Sequence, residues 1–451
     1  MKSFALASAL AAASIVSAGP TPTENEMPKR ADTIPTVTAS GNAFWAGKER
    51  FYIRGMDYQP GGASNPVDPL ADTTVCNRDI AEFKKLGINT IRVYITDNSA
   101  DHKACMDALA AANIYVILDA NNPLYSINRY NPKPSYNDKY LQSVFATIDE
   151  FSKYPNTLAF FSGNEVINEQ PNSTISAKYV KATTRDMRQY IKVRGIRPIP
   201  VGYSAADVSQ NRLQLAQYMN CGTDDERSDF FAFNDYSWCN TNFKTSGWDQ
   251  KVKTFSDYGL PIFLSEYGCI TNGRDFNEVQ ALMSSEMTSV YSGGLMFEYS
   301  MGDNNFGIVE INDGKVKELP EFANFAKANS KYPAPTGAGG AASTTHSVAC
   351  PTKDANWDVD TTLLPAMPAG AQKFFKDGAG KGPGLKGSGS QDGGDSQSTG
   401  DAQPGSGSAT PSGSSGGKKN AGGALMGPLD KRPFYVAGFA ALMTLAGTLL
   451  L

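Results

Sequence analysis

The chain has 451 residues, a formal net charge of −4 and a hydrophobic share of 41%, including 23 Phe and 20 Tyr. This is enough apolar material for one large domain or two ordinary ones, and it excludes a chain disordered throughout. Mild acidity with no basic cluster argues against nucleic-acid binding. The two histidines, His102 and His346, read as surface residues and leave a Ser-His-Asp triad or a histidine-rich zinc site without material.

Lys2 is followed by an apolar run over 4–16 and the small-residue pattern Val16-Ser17-Ala18. This is the grammar of a secretory signal peptide, residues 1–18, cleaved after Ala18. Lys29-Arg30 has the form of a dibasic maturation site. The catalytic body is expected over 31–350.

A first strand is predicted over 51–57, then a helix over 72–87, with Asp72 near its N-cap, Ile80, Phe83 and Leu86 on one stripe, and Gly87 as the stop. Further strands are predicted over 89–95, 114–119, 157–162, 199–203, 230–234, 261–266 and 294–299. Helical patterns over 138–153 and 176–193 separate some of them. Eight strands, most alternating with helices, imply parallel pairing with right-handed crossovers, and eight such units close a (β/α)8 TIM barrel. An open doubly wound sheet is the alternative, but no Gly-rich phosphate loop follows the first strand.

Residues 351–377 form a post-barrel extension. From 378 to 420 the chain is rich in Gly, Ser, Asp, Gln and Pro, with a single Leu and no aromatic residue. Such a composition cannot bury enough apolar surface to offset chain entropy, so a flexible, disordered stalk is expected. Residues 434–451 are uncharged and apolar, preceded by Asp430-Lys431-Arg432 and by Asn420-Ala421-Gly422-Gly423. That order is the grammar of a removable GPI-anchor signal (421–451) with Asn420 as the attachment residue. In a secreted chain six cysteines form a disulfide set with fifteen possible connectivities. Cys76 and Cys105 flank one strand unit, and Cys239 and Cys269 follow two later strands. That leaves Cys221 with Cys350. The sequon at Asn172 marks an N-glycosylation site.

Barrel enzymes keep their sites at the carboxyl ends of the strands. The polar residues collected there are Asp57, Gln59, Arg92, Tyr94, Asp119, Asn164, Glu165, Asp207, Arg212, Asn234, Tyr236, Glu266 and Tyr299. Tyrosine rings stack on sugar faces, and Asn, Asp and Arg hydrogen-bond hydroxyls. Retaining glycosidic chemistry needs one carboxylic acid and one carboxylate about 5 to 5.5 Å apart. Glu165 is assigned as acid/base, its pKa raised by burial and by its partner's charge, and Glu266 as nucleophile, kept ionised by Arg92. Asn164 is placed to hold a sugar 2-hydroxyl. Glu298, whose phase is opposite to that of Phe297 and Tyr299, is expected to point elsewhere.

Glutamates on strands 4 and 7, with Asn before the first, resemble the 4/7 superfamily of retaining glycoside hydrolases. GMDYQPGG (55–62), NNPLYSINR (121–129), FSGNEV (161–166), NDYSWC (234–239), SEYGC (265–269) and FEYS (297–300) resemble the fungal β-1,3-glucanosyltransferases of glycoside hydrolase family 72, the Gas/Gel/Phr type. The resemblance spans about residues 31–375. It implies the same roles for Glu165 and Glu266, and a cleft lined by Gln59, Tyr94, Asp119, Asn164, Tyr236 and Tyr299. It also implies that Asn121, Asn122, Tyr125, Asn128 and Arg129 of the 121–129 loop bind glucan further out, with Asp207 and Arg212. The six cysteines leave none for the cysteine-rich carbohydrate-binding module of some members, so the chain resembles the shorter subgroup.

The implied reaction cleaves β-1,3-glucan internally and transfers the glycosyl-enzyme to another glucan end. A secreted β-1,3-glucanase shares the covalent intermediate and differs in taking water as acceptor. A non-catalytic glucan-binding wall protein is the third reading, disfavoured because both glutamates are in place. A monomer without cofactor or metal is expected, meeting donor and acceptor glucan chains at the outer face of the cell membrane or in the wall.

Overall fold

Eight short apolar strands, each too buried to stand alone, close on one another. The computed structural model describes residues 34–62, 66–359, 363–391, 393, 396–398, 400–403 and 407–408. The expected leader at 1–18, Lys29-Arg30, the expected attachment residue Asn420 and the expected anchor signal at 421–451 lie outside the described residues.

Three strands not anticipated from sequence come first: β1 (Val37–Ser40), β2 (Ala43–Ala46) and β3 (Glu49–Phe51), an antiparallel sheet. Phe44 on β2 packs against Phe230 and Phe263, with ring centroids 5.8 and 5.9 Å apart, so this sheet plugs the amino-terminal end of the barrel.

The barrel follows. Its strands are β4 (Ile53–Asp57), β5 (Thr90–Val93), β6 (Tyr115–Asp119), β7 (Thr157–Asn164), β8 (Val201–Ala206), β9 (Phe230–Asn234), β10 (Ile262–Tyr267) and β11 (Tyr291–Met296). All pair in parallel, and β11 returns to β4 to complete the closed ring. The connecting helices are α1 (Thr73–Leu86), α2 (Lys103–Ala111), α3 (Pro132–Ser135), α4 (Asp138–Phe151), α5 (Ala177–Val193), α6 (Arg212–Met219), α7 (Trp248–Thr254) and α8 (Glu278–Leu282). A hairpin of β12 (Val309–Asn312) and β13 (Lys315–Glu318), then α9 (Pro320–Lys331) and α10 (Lys373–Asp377), follow, and short 3-10 turns lie at Pro171–Ser176 and Ala369–Ala371. The caps of α1 fall where the sequence places them. Asp72 accepts from the Thr74 and Val75 amides at 2.8 and 3.2 Å, and Gly87 adopts φ 66°.

Alternation along the strands builds the interior. Ile53, Ile117, Phe161, Phe230, Phe263 and Leu295 form an apolar layer within the ring. Continuing with period two along β4, β6 and β9 brings Asp57, Asp119 and Asn234 to the carboxyl-terminal end, facing inward. The barrel therefore has a greasy floor and a polar mouth. Outside the ring, a second apolar layer seats the helices, as where the Phe145 and Tyr190 rings of α4 and α5 stack 4.2 Å apart.

Cys76 is joined to Cys105, Cys221 to Cys350, and Cys239 to Cys269. Past the barrel, Trp357 is fully buried against Tyr218, and Phe374 and Phe375 pack on Phe145, so 351–377 lies on the outer helices. Two expectations need correction. The described part of 378–408 is not a free stalk but lies against the barrel. It buries little apolar surface and is held mainly by main-chain hydrogen bonds, which glycine makes possible by letting backbones approach closely. His102 is likewise no surface residue: it is buried, with its ring nitrogens 2.7 Å from Asp68 and 3.1 Å from Glu150.

Candidate active site

The polar mouth is organised by one guanidinium. Arg92 on β5 is fully buried and grips Asp119 on β6 through Nε and Nη2, both at 3.1 Å. Its Nη1 lies 3.3 Å from Glu266 Oε1 and 3.2 Å from the Tyr94 hydroxyl. The Tyr94 and Phe161 rings sandwich the group, 4.1 and 4.5 Å from its central carbon. Burial lifts Asp119 to about 6 despite the opposing pull of Arg92. Asp57 sits beneath, both oxygens without a hydrogen-bond partner, and burial pushes its pKa well up.

Glu266 is bound from both sides. The Tyr94 hydroxyl donates to Oε1 at 2.7 Å and the Tyr236 hydroxyl to Oε2 at 2.6 Å. Burial raises both phenols, so each stays protonated and donating. Two phenol donors and a guanidinium thus converge on one carboxylate and fix its orientation.

Glu165 has the opposite environment. Burial first, and the charge of Glu266 second, raise its pKa to about 7, against the opposing effect of an Asn234 hydrogen bond at 2.8 Å. Its backbone is left-handed, φ 47°, a conformation that costs a non-glycine residue roughly 1–2 kcal/mol. Hydrogen bonds hold it there. The Glu165 amide donates to Ser204 O at 2.9 Å, while Arg129 donates to Glu165 O and, at 2.8 Å, to Val166 O.

Asn164 completes the cluster. Its Oδ1 accepts from Ser204 Oγ at 2.7 Å and Asn234 Nδ2 at 3.1 Å, which fixes the amide's orientation. Ser265 supports the same network through Ser204 (2.9 Å) and Asn234 (2.7 Å). Phe297, packed edge-on to Tyr94 and Tyr236, and Phe306 form an aromatic wall beside Glu266.

Of the residues expected to line the cleft Tyr299 lies elsewhere, and most of those expected to bind glucan further out have partners of their own. The Tyr299 ring packs on Tyr58 and Phe83, and its hydroxyl donates to Asp79 at 2.8 Å, because β11 ends at Met296 and the inward phase reaches Phe297 but not residue 299. Tyr125 is buried beneath the Gly-rich segment. Asn122 Oδ1 accepts from the Leu124 and Tyr125 amides, and Asn128 Oδ1 from those of Tyr130 and Asn131. Both form turns through Oδ1. Arg129 is spent on the Glu165–Val166 backbone. Asp207 has one oxygen on Arg212 and the other on Lys251, at 2.6 Å, and Lys251 also reaches Asp235. Asn121 retains a buried Oδ1 without a partner. Gln59 is half-buried at the rim. Glu298 is held by Asn304 at 2.6 Å, and burial, with a smaller push from Glu266, raises it to about 7. Sequence reasoning missed Ser204, Ser265, Phe297 and Phe306. Small hydroxyls at strand ends carry no signal of their own, whereas Phe297 continues the inward phase of Leu295.

The glucanosyltransferase family model, glycoside hydrolase family 72, matches residues 26–333. The chain is 60% identical over 390 residues to the 1,3-beta-glucanosyltransferase gel1 of Aspergillus fumigatus, covering 86% of this chain and 85% of that one. It is 51% identical over 355 residues to the 1,3-beta-glucanosyltransferase GAS5 of Saccharomyces cerevisiae, covering 77% and 73%. Among solved structures, Saccharomyces cerevisiae Gas2p in complex with laminaritriose and laminaritetraose superimposes with a TM-score of 0.68 at 38% identity, covering 74% of this chain and 77% of that one. The chain belongs to the glucanosyltransferases of glycoside hydrolase family 72.

Proposed function

We infer that this chain is a β-1,3-glucanosyltransferase, cleaving β-1,3-glucan and rejoining the released glycosyl unit to another glucan chain with retention of configuration. The observation that carries the mechanism is the opposite treatment of two carboxyls. Two tyrosine hydroxyls and Arg92 point their donors at Glu266, while burial and its neighbour's charge raise Glu165 to about 7. Near neutrality Glu165 is therefore substantially protonated and ready to give its proton to the departing glycosidic oxygen. Glu266 attacks the anomeric carbon and forms the glycosyl-enzyme ester. Glu165, now a carboxylate, takes the proton of the acceptor hydroxyl as that oxygen displaces Glu266. Asn164, its carbonyl occupied by Ser204 and Asn234, has its Nδ2 for a sugar 2-hydroxyl. The Phe297–Tyr236 wall offers ring faces to an acceptor sugar, which favours transfer over hydrolysis.

Secretion after cleavage at Ala18, a glycan on Asn172, and GPI attachment at Asn420 complete the proposal. They place a monomeric enzyme at the outer membrane face or in the wall. Asn172 is exposed, as a glycan requires. Incubation with a single laminari-oligosaccharide tests the reaction. Products longer than the substrate are expected, and products that are only shorter would make the chain a glucanase.

A further inference from the structure

The Gly-rich segment after α10 touches the barrel at four successive places. The Ala379 amide donates to the Tyr190 hydroxyl at 3.0 Å and to Asp149 at 3.1 Å. The Gly384 amide donates to Asn98 Oδ1 at 2.9 Å in the loop after β5. Ser390 N donates to Leu124 O at 2.9 Å, and Gln391 Nε2 to Ser126 O at 2.7 Å and Ser126 Oγ at 2.9 Å, both in the loop after β6. At the start of α4, Asn137 Nδ2 donates to Ser390 O at 2.9 Å, and the Asp138 amide to Ser396 O at 3.0 Å. The segment then rejoins the post-barrel extension, where Ala402 N donates to Leu364 O at 2.8 Å.

The loop after β6 is thus clasped from outside. Its inner end carries Arg129, which grips the backbone carbonyls of Glu165 and Val166 and is itself fixed by a 2.7 Å bond from Ser176 Oγ to Arg129 O. We propose that the described residues of 378–403 act as a strap that positions the acid/base glutamate. By pinning the 121–131 loop, the strap keeps Arg129 in place and so holds the left-handed backbone of Glu165. The proposal goes beyond the reaction assigned above and rests on that reading only for its kinetic readout.

Gly387 offers a clean perturbation. A Cβ there would lie 2.0 Å from the Tyr125 hydroxyl oxygen, with the next atoms at 3.2 and 3.3 Å. Gly387→Ala therefore pushes the strap off the loop through one oxygen atom. Gly387→Ala/Tyr125→Phe removes that oxygen and relieves the clash, leaving the ring's Cζ at 3.2 Å as the nearest atom. Gln391→Ala loosens the same contact without steric demand.

Hydrogen exchange of the 122–131 amides and steady-state kinetics on a laminari-oligosaccharide are measured on the full chain. Gly387→Ala is expected to speed exchange in that loop and to lower kcat about tenfold with KM within about twofold, because a displaced catalytic group costs rate rather than binding. The double variant should recover both, and Gln391→Ala should act in the same direction less strongly. Unchanged loop exchange and kcat in both single variants would make the segment a passive spacer and overturn the proposal. So would faster exchange throughout the barrel without rescue. A wild-type chain with no transfer activity would count against the assigned reaction alone, and loop exchange would still decide on the strap.

Discussion

Replacing Glu165 with Gln separates what this carboxyl does for catalysis from what it does to the fold. Its pKa rises from the ordinary 4.5 to about 7, chiefly through burial. The folded chain therefore favours the protonated form. That contribution is complete below pH 4.5 and is lost as the pH rises through about 7. At about 1.36 kcal/mol per pH unit, and allowing for water at the cleft mouth, the loss is roughly 2–3 kcal/mol. Gln has the same shape, stays neutral at every pH, and still accepts the 2.8 Å bond from Asn234. The inactive Glu165→Gln protein should match the wild type in stability near pH 4.5 and exceed it by roughly 2–3 kcal/mol at pH 8.5. For a folded unit of this size that is about 3–4 °C in melting temperature. Thermal unfolding of both proteins at the two pH values is the assay. A difference independent of pH, or a less stable variant at pH 8.5, would refute the reasoning.

Tyr236→Phe and Tyr94→Phe each remove one hydroxyl from Glu266. Each should lower kcat about 10- to 100-fold, the worth of a hydrogen bond to a charged group, and wild-type turnover in either would detach the tyrosines from the nucleophile. His102→Gln tests the buried Asp68–His102–Glu150 bridge. Burial alone would lower this imidazole, but hydrogen bonds to Asp68 and Glu150 raise it from 6.5 to about 9. Its stabilisation is therefore full below pH 6.5 and lost as the pH rises through 9. Urea unfolding should show a penalty of roughly 2–3 kcal/mol at pH 6 that fades towards pH 9.5.

The barrel was legible because each strand is a short apolar run ending in a polar residue, and period two then says which way that residue faces. Asp57, Asp119 and Asn234 follow directly. The same count failed at Tyr299, where the strand stops at Met296 before the count does. Tyr125 and Asn128 sit in a motif whose resemblance implies glucan binding, but a resemblance does not say whether a loop side chain serves the ligand or its own turn. His102 looked exposed among polar neighbours. Its partners lie 34 and 48 residues away and meet it only in the fold. The first three strands have three or four residues each, too few for any periodicity to register. The Gly-rich segment was misread for a different reason. The argument from apolar burial takes no account of a segment held chiefly through its main chain.

That segment also sets a length. A stalk from 378 to the proposed attachment at Asn420 would have a contour of roughly 150 Å at about 3.5 Å per residue. The described contacts run to Ser408, and twelve residues, 409–420, would lie between it and a lipid at the proposed site, a contour of about 40 Å at the same spacing. On the proposed anchoring, the catalyst would work within that short reach of its lipid, whether the lipid stays in the bilayer or the protein passes to the wall.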